Sequence, residues 1–159
     1  MREQILTFLE KNSRIDLGEL AVMLGSEEAI IANEVAQMEK EKIICGYHTL
    51  IDWEKTNVDK VTALIEVRVT PQRGQGFDTI AQRIYNYPEV QSVYLISGGY
   101  DLMVILEGKT LREVSGFVST KLSTLETVIS TATHFILKKY KDYGTIMGKV
   151  EKDERIPLA

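Results

Sequence analysis

The chain has 159 residues, 44% of them hydrophobic, enough for one large or two small domains with packed cores. Its most apolar run, Asp101 to Leu106, is too short to cross a bilayer, and Met1 to Lys11 mixes charged with apolar residues instead of carrying a secretory stretch. A cytoplasmic protein with no membrane partner is expected at a net charge of −4. The single cysteine, Cys45, excludes an internal disulfide and a multi-cysteine zinc site.

In chain order, Ile5, Leu6 and Leu9 recur at helical spacing between Arg2 and Lys11, and Asn12-Ser13 supplies a stop. Asp16, with Glu19 three residues on, is a capping-box start for a short second helix holding Leu20, Val22, Met23 and Leu24. Gly25 suits a left-handed C-terminal cap, and Ser26 suits an N-cap for a third helix carrying Ile31, Val35 and Met38 to about Lys42. Three helices with a tight glycine turn before the third are a helix-turn-helix pattern. From Ile43 to Ile51 β-friendly residues around Gly46 predict a short β wing, and the polar stretch after Asp52 predicts a linker.

Val61 to Thr70 alternates Ala63, Ile65, Val67 and Val69 against Leu64, Glu66, Arg68 and Thr70, the period-two pattern of a strand with one covered face. After a break at Pro71 to Gly76, Phe77, Ile80, Ala81 and Ile84 mark an amphipathic helix that stops at Tyr87-Pro88. Val90 to Ser97 and Tyr100 to Glu107 are expected as two strands joined by a tight Gly98-Gly99 hairpin with positive φ. Leu111, Val114, Phe117, Val118 and Leu122 predict another helix. Val128 to Lys139 predicts a last strand with Ile129, Thr131, Thr133, Phe135 and Leu137 on one face. The fold class is therefore α+β, a winged helix-turn-helix followed by a ferredoxin-like β-α-β-β-α-β domain with both helices on one face of the sheet. The other face, with Leu64, Tyr94, Ile96, Met103 or Ile105 according to register, calls for a cover, and self-association supplies one.

The segments ILTFLEKNSRIDLGELA (Ile5 to Ala21), KIICGYHTLID (Lys42 to Asp52), YPEVQSVYLISGGYDLMV (Tyr87 to Val104) and VISTATHFIL (Val128 to Leu137) together resemble the leucine- and asparagine-responsive regulators, the Lrp/AsnC family, from Ile5 to about Tyr140. The resemblance implies a winged-helix DNA reader (1–52), a linker (53–60), a sensory and oligomerisation domain called RAM (61–142) and a C-terminal tail (143–159). It further implies double-stranded DNA as a partner, sheet-paired homodimers that often form octamers, and a small amino acid bound between dimers. The pocket of relatives maps onto Gly98, Gly99, Tyr100 and Asp101, with Thr131 and Thr133 from the last strand. Chemically, a glycine-rich turn offers amides to a carboxylate, and Asp101 offers charge to an ammonium. The same aspartate would equally satisfy turn amides, and threonines are ordinary strand formers.

For DNA, Asn33 and Gln37 are suited to adenine edges, and Arg14, Lys40, Lys42 and His48 to phosphates. Ser26 and Glu28, at the start of the third helix, complete the expected contact set. Yet residues 1–52 hold five basic against ten acidic side chains, and Glu34, Ala36 and Gln37 stand where relatives carry arginines. An alternative therefore stays open, in which an amino-acid-sensing oligomer carries a degenerate helix-turn-helix that binds DNA weakly or not at all. His48 and His134 have no partners at metal-ligand spacing, and neither a G-x-S-x-G nor a phosphate-loop motif occurs, so no metal, cofactor or enzymatic activity is expected.

Overall fold

The structure, a computed structural model, describes residues 1–70, 74 and 76–148. The chain divides into two compact units, residues 1–51 and residues 52 onward.

The first unit is a trio of helices, α1 (Arg2–Lys11), α2 (Leu17–Leu24) and α3 (Glu28–Lys40). Its core is Ile5 and Leu9 of α1, Leu20 and Ala21 of α2, and Ile31, Val35 and Met38 of α3. Asp16 caps α2 as expected, its carboxylate accepting the Glu19 amide at 3.0 Å. Gly25 takes the left-handed conformation (φ 62°) that closes the helix, with the Ser26 amide returning to the Ala21 carbonyl at 2.9 Å. That closure uses Ser26, so the N-cap expected of it falls instead to Glu27. Val22 and Met23 lie outside the core, 82% and 52% exposed.

No strand forms between Ile43 and Ile51, so the expected wing is not built. The α3 helix ends at Lys40, Lys42 turns the chain at φ 59°, and the residues beyond extend without a strand partner. β-propensity alone cannot hold a strand whose amides find no ladder.

In the second unit, a single 3-10 turn at Trp53–Lys55 precedes the sheet. The elements then run β1 (Val61–Val69), α4 (Asp78–Tyr85), β2 (Val90–Leu95), β3 (Leu102–Gly108), α5 (Leu111–Phe117, continued by a π-helical turn Val118–Leu122) and β4 (Val128–Phe135). The four strands are antiparallel in the order β2-β3-β1-β4, the expected β-α-β-β-α-β arrangement. Directly opposed residues share a face. The covered face stacks Ala63, Ile65 and Val67 with Leu102, Val104 and Leu106, under Ile80 and Ile84 of α4 and Val114, Phe117, Val118 and Leu122 of the second helix. Burial of each of the larger apolar side chains contributes about 1.5–3 kcal/mol, and this layer is what holds the helices to the sheet. Leu111, expected in that stripe, lies at the N-terminal end of α5 and is 56% exposed.

Three details differ from the sequence expectation. The Gly98-Gly99 connection is not a two-residue turn, because the Ile96 amide donates to the Asp101 carbonyl at 2.8 Å and closes a four-residue loop, 97–100. Such loops are built around turns with negative φ, and neither glycine lies in the left-handed region. In β4, Val69 opposes Val128 while Arg68 opposes Ser130, so Ile129 is the extra residue of a bulge and turns out to solvent. The strand also stops at Phe135 because β1 begins at Val61, leaving Leu137 unpaired and 91% exposed. Beyond it, β5 (Lys141–Asp142) and β6 (Thr145–Ile146) form a hairpin turned by Tyr143 and Gly144, both at positive φ. The tail expected from residue 143 thus starts with a return strand, and its remainder from 149 lies outside the described residues, as do Pro71 to Arg73 of the expected break.

Candidate functional site

On the first unit, the candidate contact residues sort by helical phase. With 3.6 residues per turn, Asn33, Gln37 and Lys40 of α3 fall on one stripe, flanked by Ile30 and Ala36, directly opposite the buried Ile31, Val35 and Met38. All five stripe positions are exposed, and none is acidic. The carboxylates of α3 and its cap sit on the two flanks. Arg2 of α1 reaches Glu34 (Nε to Oε2, 2.6 Å) and Glu41 (2.8 Å), while the Tyr47 hydroxyl donates to Glu39 at 2.7 Å. The Arg2 contact holds the Glu41 carboxyl below its ordinary value, chiefly through their hydrogen bond, and raises the Arg2 guanidinium in turn. Tyr47 is pushed up by its own burial and by Glu39.

Glu28 stands in the first turn with its carboxylate over Gly18, where an added Cβ would meet Oε2 at 3.1 Å. It is off the stripe, as is the half-buried Ser26. Arg14 and His48 are exposed, Arg14 in the α1–α2 connection with its amide on the Asn12 side chain, and His48 in the extended segment after α3. Of the expected set, α3 therefore aligns Asn33, Gln37 and Lys40, and the others stand apart from that row.

On the second unit, Gly98, Gly99, Tyr100 and Asp101 form the exposed to half-buried loop between β2 and β3. The amides of Gly98, Gly99 and Tyr100 meet no carbonyl among the described residues. Asp101 ties this loop to the sheet: its amide donates to the Val67 carbonyl at 3.1 Å, and its Oδ2 accepts the Val69 amide at 2.8 Å. The side chain extends the β1–β3 ladder at Val69, where the β4 bulge interrupts the pairing on the other edge of β1. Oδ1 has no hydrogen-bond partner among the described residues.

Thr131 opposes Val67 and Thr133 opposes Ile65, which puts both threonines on the helix-covered side of β4. Thr131 Oγ1 lies 3.4 Å from Ser123 Oγ. Asp101 and Thr131 mark the same end of the sheet with β1 between them, two strand spacings or about 10 Å apart. Among the described residues the loop and the threonines are thus separated by β1. The open sheet face brings together Leu64, Tyr94, Met103 and Ile105, with Ile96 left in the loop, and His134 sits 3.3 Å from Glu66 among them.

The sequence reading missed two clusters. Arg2 drew no notice because its partners are 32 and 39 residues away. Lys121, on the π-helical turn, meets Glu89 at 2.8 Å and lies over the Tyr87 and Phe117 rings at 5.2 Å each, holding the Glu89 carboxyl below its ordinary value mainly through that hydrogen bond. Only the i, i+4 step from Phe117 to Lys121 was visible in the sequence. Among the described residues no helix is long and apolar enough to cross a membrane.

Comparison with known proteins agrees with this architecture. Residues 62–146 match the profile of the Lrp/AsnC ligand binding domain. Over 157 residues the chain is 49% identical to the uncharacterized HTH-type transcriptional regulator YugG of Bacillus subtilis, covering 98% of this chain and 95% of that one. It is 26% identical to the HTH-type transcriptional regulator LrpA of Pyrococcus abyssi, over 86% and 94%. Among solved structures, a Neisseria meningitidis transcriptional regulator in complex with L-Met shares the fold with a TM-score of 0.70 at 23% identity, covering 89% of this chain and 90% of that one. The AsnC of E. coli shares it at 0.65 and 21%, over 87% and 91%. These relatives are named as regulators and not as enzymes, and this chain belongs to the Lrp/AsnC family of transcription regulators.

Proposed function

We propose that the protein reads double-stranded DNA with the helix-turn-helix formed by α2, the Gly25 turn and α3, and that a small amino acid bound to the second unit governs how the readers are arranged. The observation that carries the DNA reading is the uncharged and basic outer stripe of α3. Asn33 and Gln37 present amides suited to the paired acceptor and donor of adenine, and Lys40 lies one turn further on the same line for a phosphate. Arg14 and His48, exposed but apart from that row, are further candidates for phosphate contacts. Ser26 and Glu28 belong to the entry of α3, where Glu28 lies over Gly18, and both remain candidates for contacts there.

For the effector, the unpaired amides of the 97–100 loop suit a carboxylate, and Asp101 Oδ1 suits an ammonium. The L-Met complex of the Neisseria meningitidis relative supports an amino acid as the class of ligand. Gly98, Gly99, Tyr100 and Asp101 form half of the site, and Thr131 and Thr133 meet it only if neighbouring subunits complete the pocket. The apolar sheet face of Leu64, Tyr94, Met103 and Ile105 favours a homodimer, and since the threonines lie on the opposite, helix-covered side, the pocket would be completed between dimers, with octamers as the closed assembly. An effector changes the arrangement only by binding one assembly more tightly than another. Cytoplasmic location follows from this role.

The test is titration of the purified chain against duplex DNA from upstream of its own coding sequence, at two salt concentrations, with and without a mixture of amino acids. Saturable binding that weakens steeply with salt and shifts with the mixture is expected. No binding at low salt by intact oligomers would leave the oligomeric sensor with a degenerate reader as the better account.

A further inference from the structure

The geometry points to Arg2 as a positioning residue for DNA binding: it touches no DNA itself but holds the Glu34 and Glu41 carboxylates of the α3 flank away from the reading stripe and offsets one of their two charges. The inference rests on the DNA-reading role proposed above.

The first unit is the acidic half of the chain, with five basic residues against ten acidic ones in residues 1–52. Duplex DNA repels such a surface, and α3 contributes its share of the acids. At 100° per residue Glu34 falls about 60° and the C-cap Glu41 about 40° round the helix from Gln37, on the side away from Lys40, so both lie on the flank next to the stripe. A free glutamate side chain there is long enough to swing toward a phosphate. Arg2 prevents this from a different helix. Its guanidinium meets Glu34 through Nε at 2.6 Å and Glu41 through one terminal nitrogen at 2.8 Å, with the second at 3.5 Å, a forked contact that a lysine ammonium cannot reproduce. The three side chains are 27–38% exposed, so the contact adds little to stability but sets where two negative charges sit. On the opposite flank, Tyr47 fixes Glu39 in the same manner without cancelling it.

The experiment compares three variants of the full-length protein with the wild type, Arg2→Gln, Glu34→Gln/Glu41→Gln, and the triple combination. Each binds a labelled duplex from upstream of its own coding sequence and a scrambled duplex of equal length, with melting curves confirming the fold. At about 50 mM salt Arg2→Gln is expected to weaken binding to both duplexes about three- to tenfold, since it frees both carboxylates and adds one uncompensated negative charge near the phosphates, only partly screened at that ionic strength. The triple variant, which carries no charge at the trio, is expected to bind at least as tightly as the wild type, and Glu34→Gln/Glu41→Gln more tightly still because Arg2 then faces DNA uncompensated.

A merely structural role for Arg2 predicts the opposite pattern, since removing its partners cannot restore a lost tether between α1 and α3. Unchanged affinity in folded Arg2→Gln, or a loss that the triple variant does not restore, overturns the inference while leaving the DNA-reading role in place. Should Arg2→Gln not fold, Glu34→Gln/Glu41→Gln decides alone, and affinity no tighter than the wild type overturns it. Absence of wild-type binding to either duplex at low salt overturns both.

Discussion

Replacing Asp101 separates the two roles that its position suggests. In Asp101→Ala the Val69 amide loses the Oδ2 acceptor that it meets at 2.8 Å, and Val69 itself is only 3% exposed, so water replaces the acceptor poorly. A hydrogen bond to a charged group is worth about 1.5–3 kcal/mol, and the half-exposed carboxylate lowers this to about 1–2 kcal/mol. Asp101→Asn keeps an oxygen acceptor without the charge, and neutral bonds are roughly half as strong, so its cost should be about 0.5–1 kcal/mol. Urea unfolding followed by the fluorescence of Trp53, the chain's sole tryptophan and part of the second unit, reads this directly. The alanine variant should unfold at clearly lower urea and the asparagine variant between it and the wild type. Calorimetry with a panel of amino acids then tests the ligand role: Asp101→Asn, still folded, should lose most affinity if the carboxylate holds the ammonium. An alanine variant as stable as the wild type would refute the ladder argument, and unchanged ligand affinity in the asparagine variant would remove Asp101 from the effector site.

Other perturbations have expected outcomes of their own. Gly25→Ala should destabilise the first unit by about 1 kcal/mol in thermal melts, because a Cβ there meets no atom within 4 Å and the whole cost is the left-handed φ of 62°. Leu106→Ala, at 1% exposure in the centre of the covered face, should cost about 2–5 kcal/mol in the same urea assay. The depressed Glu89 carboxyl contributes stability that is present above its unfolded value near 4.5 and lost as pH falls through the lower folded value. Glu89→Gln should therefore flatten the fall of the urea midpoint below about pH 5, and an equally steep fall in the variant would assign the acid sensitivity to other carboxylates.

The covered face of the sheet was legible because Ala63, Ile65, Val67 and Val69 follow the strand period without a break, and α3 because Ile31, Val35 and Met38 keep one helical phase. Where the reading went astray, the deciding contact lay outside the residues that carried the pattern. Ile129 fits the period of β4, yet the bulge opposite Arg68 and Val69 turns it out. Gly98-Gly99 has the composition of a tight hairpin, but the Ile96–Asp101 closure lengthens the loop, and no local pattern encodes that choice. The β-friendly stretch after Lys42 failed as a wing for the same reason: a strand exists only with a neighbour to bond. Asp101 was legible as a special residue but not as a ladder residue, since its acceptor role depends on where β1 ends.

Charge shows the same division between composition and placement. Counting acids in residues 1–52 suggests a surface hostile to DNA, and that count is correct. The count assigns every glutamate of α3 equal weight, whereas the helix distributes them. At 100° per residue, Glu34 and Glu41 fall on one flank and Glu28 and Glu39 on the other, which leaves Asn33, Gln37 and Lys40 as a carboxylate-free row. Phosphates interact most with the charges nearest them, and screening over about 10 Å at ordinary salt weakens the rest. A reader with a negative sum can thus present a neutral to positive line, provided the flanking carboxylates are held back. Arg2 and Tyr47 do so for three of them. On the DNA-reading role proposed above, affinity per reader should still be modest, and tight binding at physiological salt is expected only where several readers engage one duplex together.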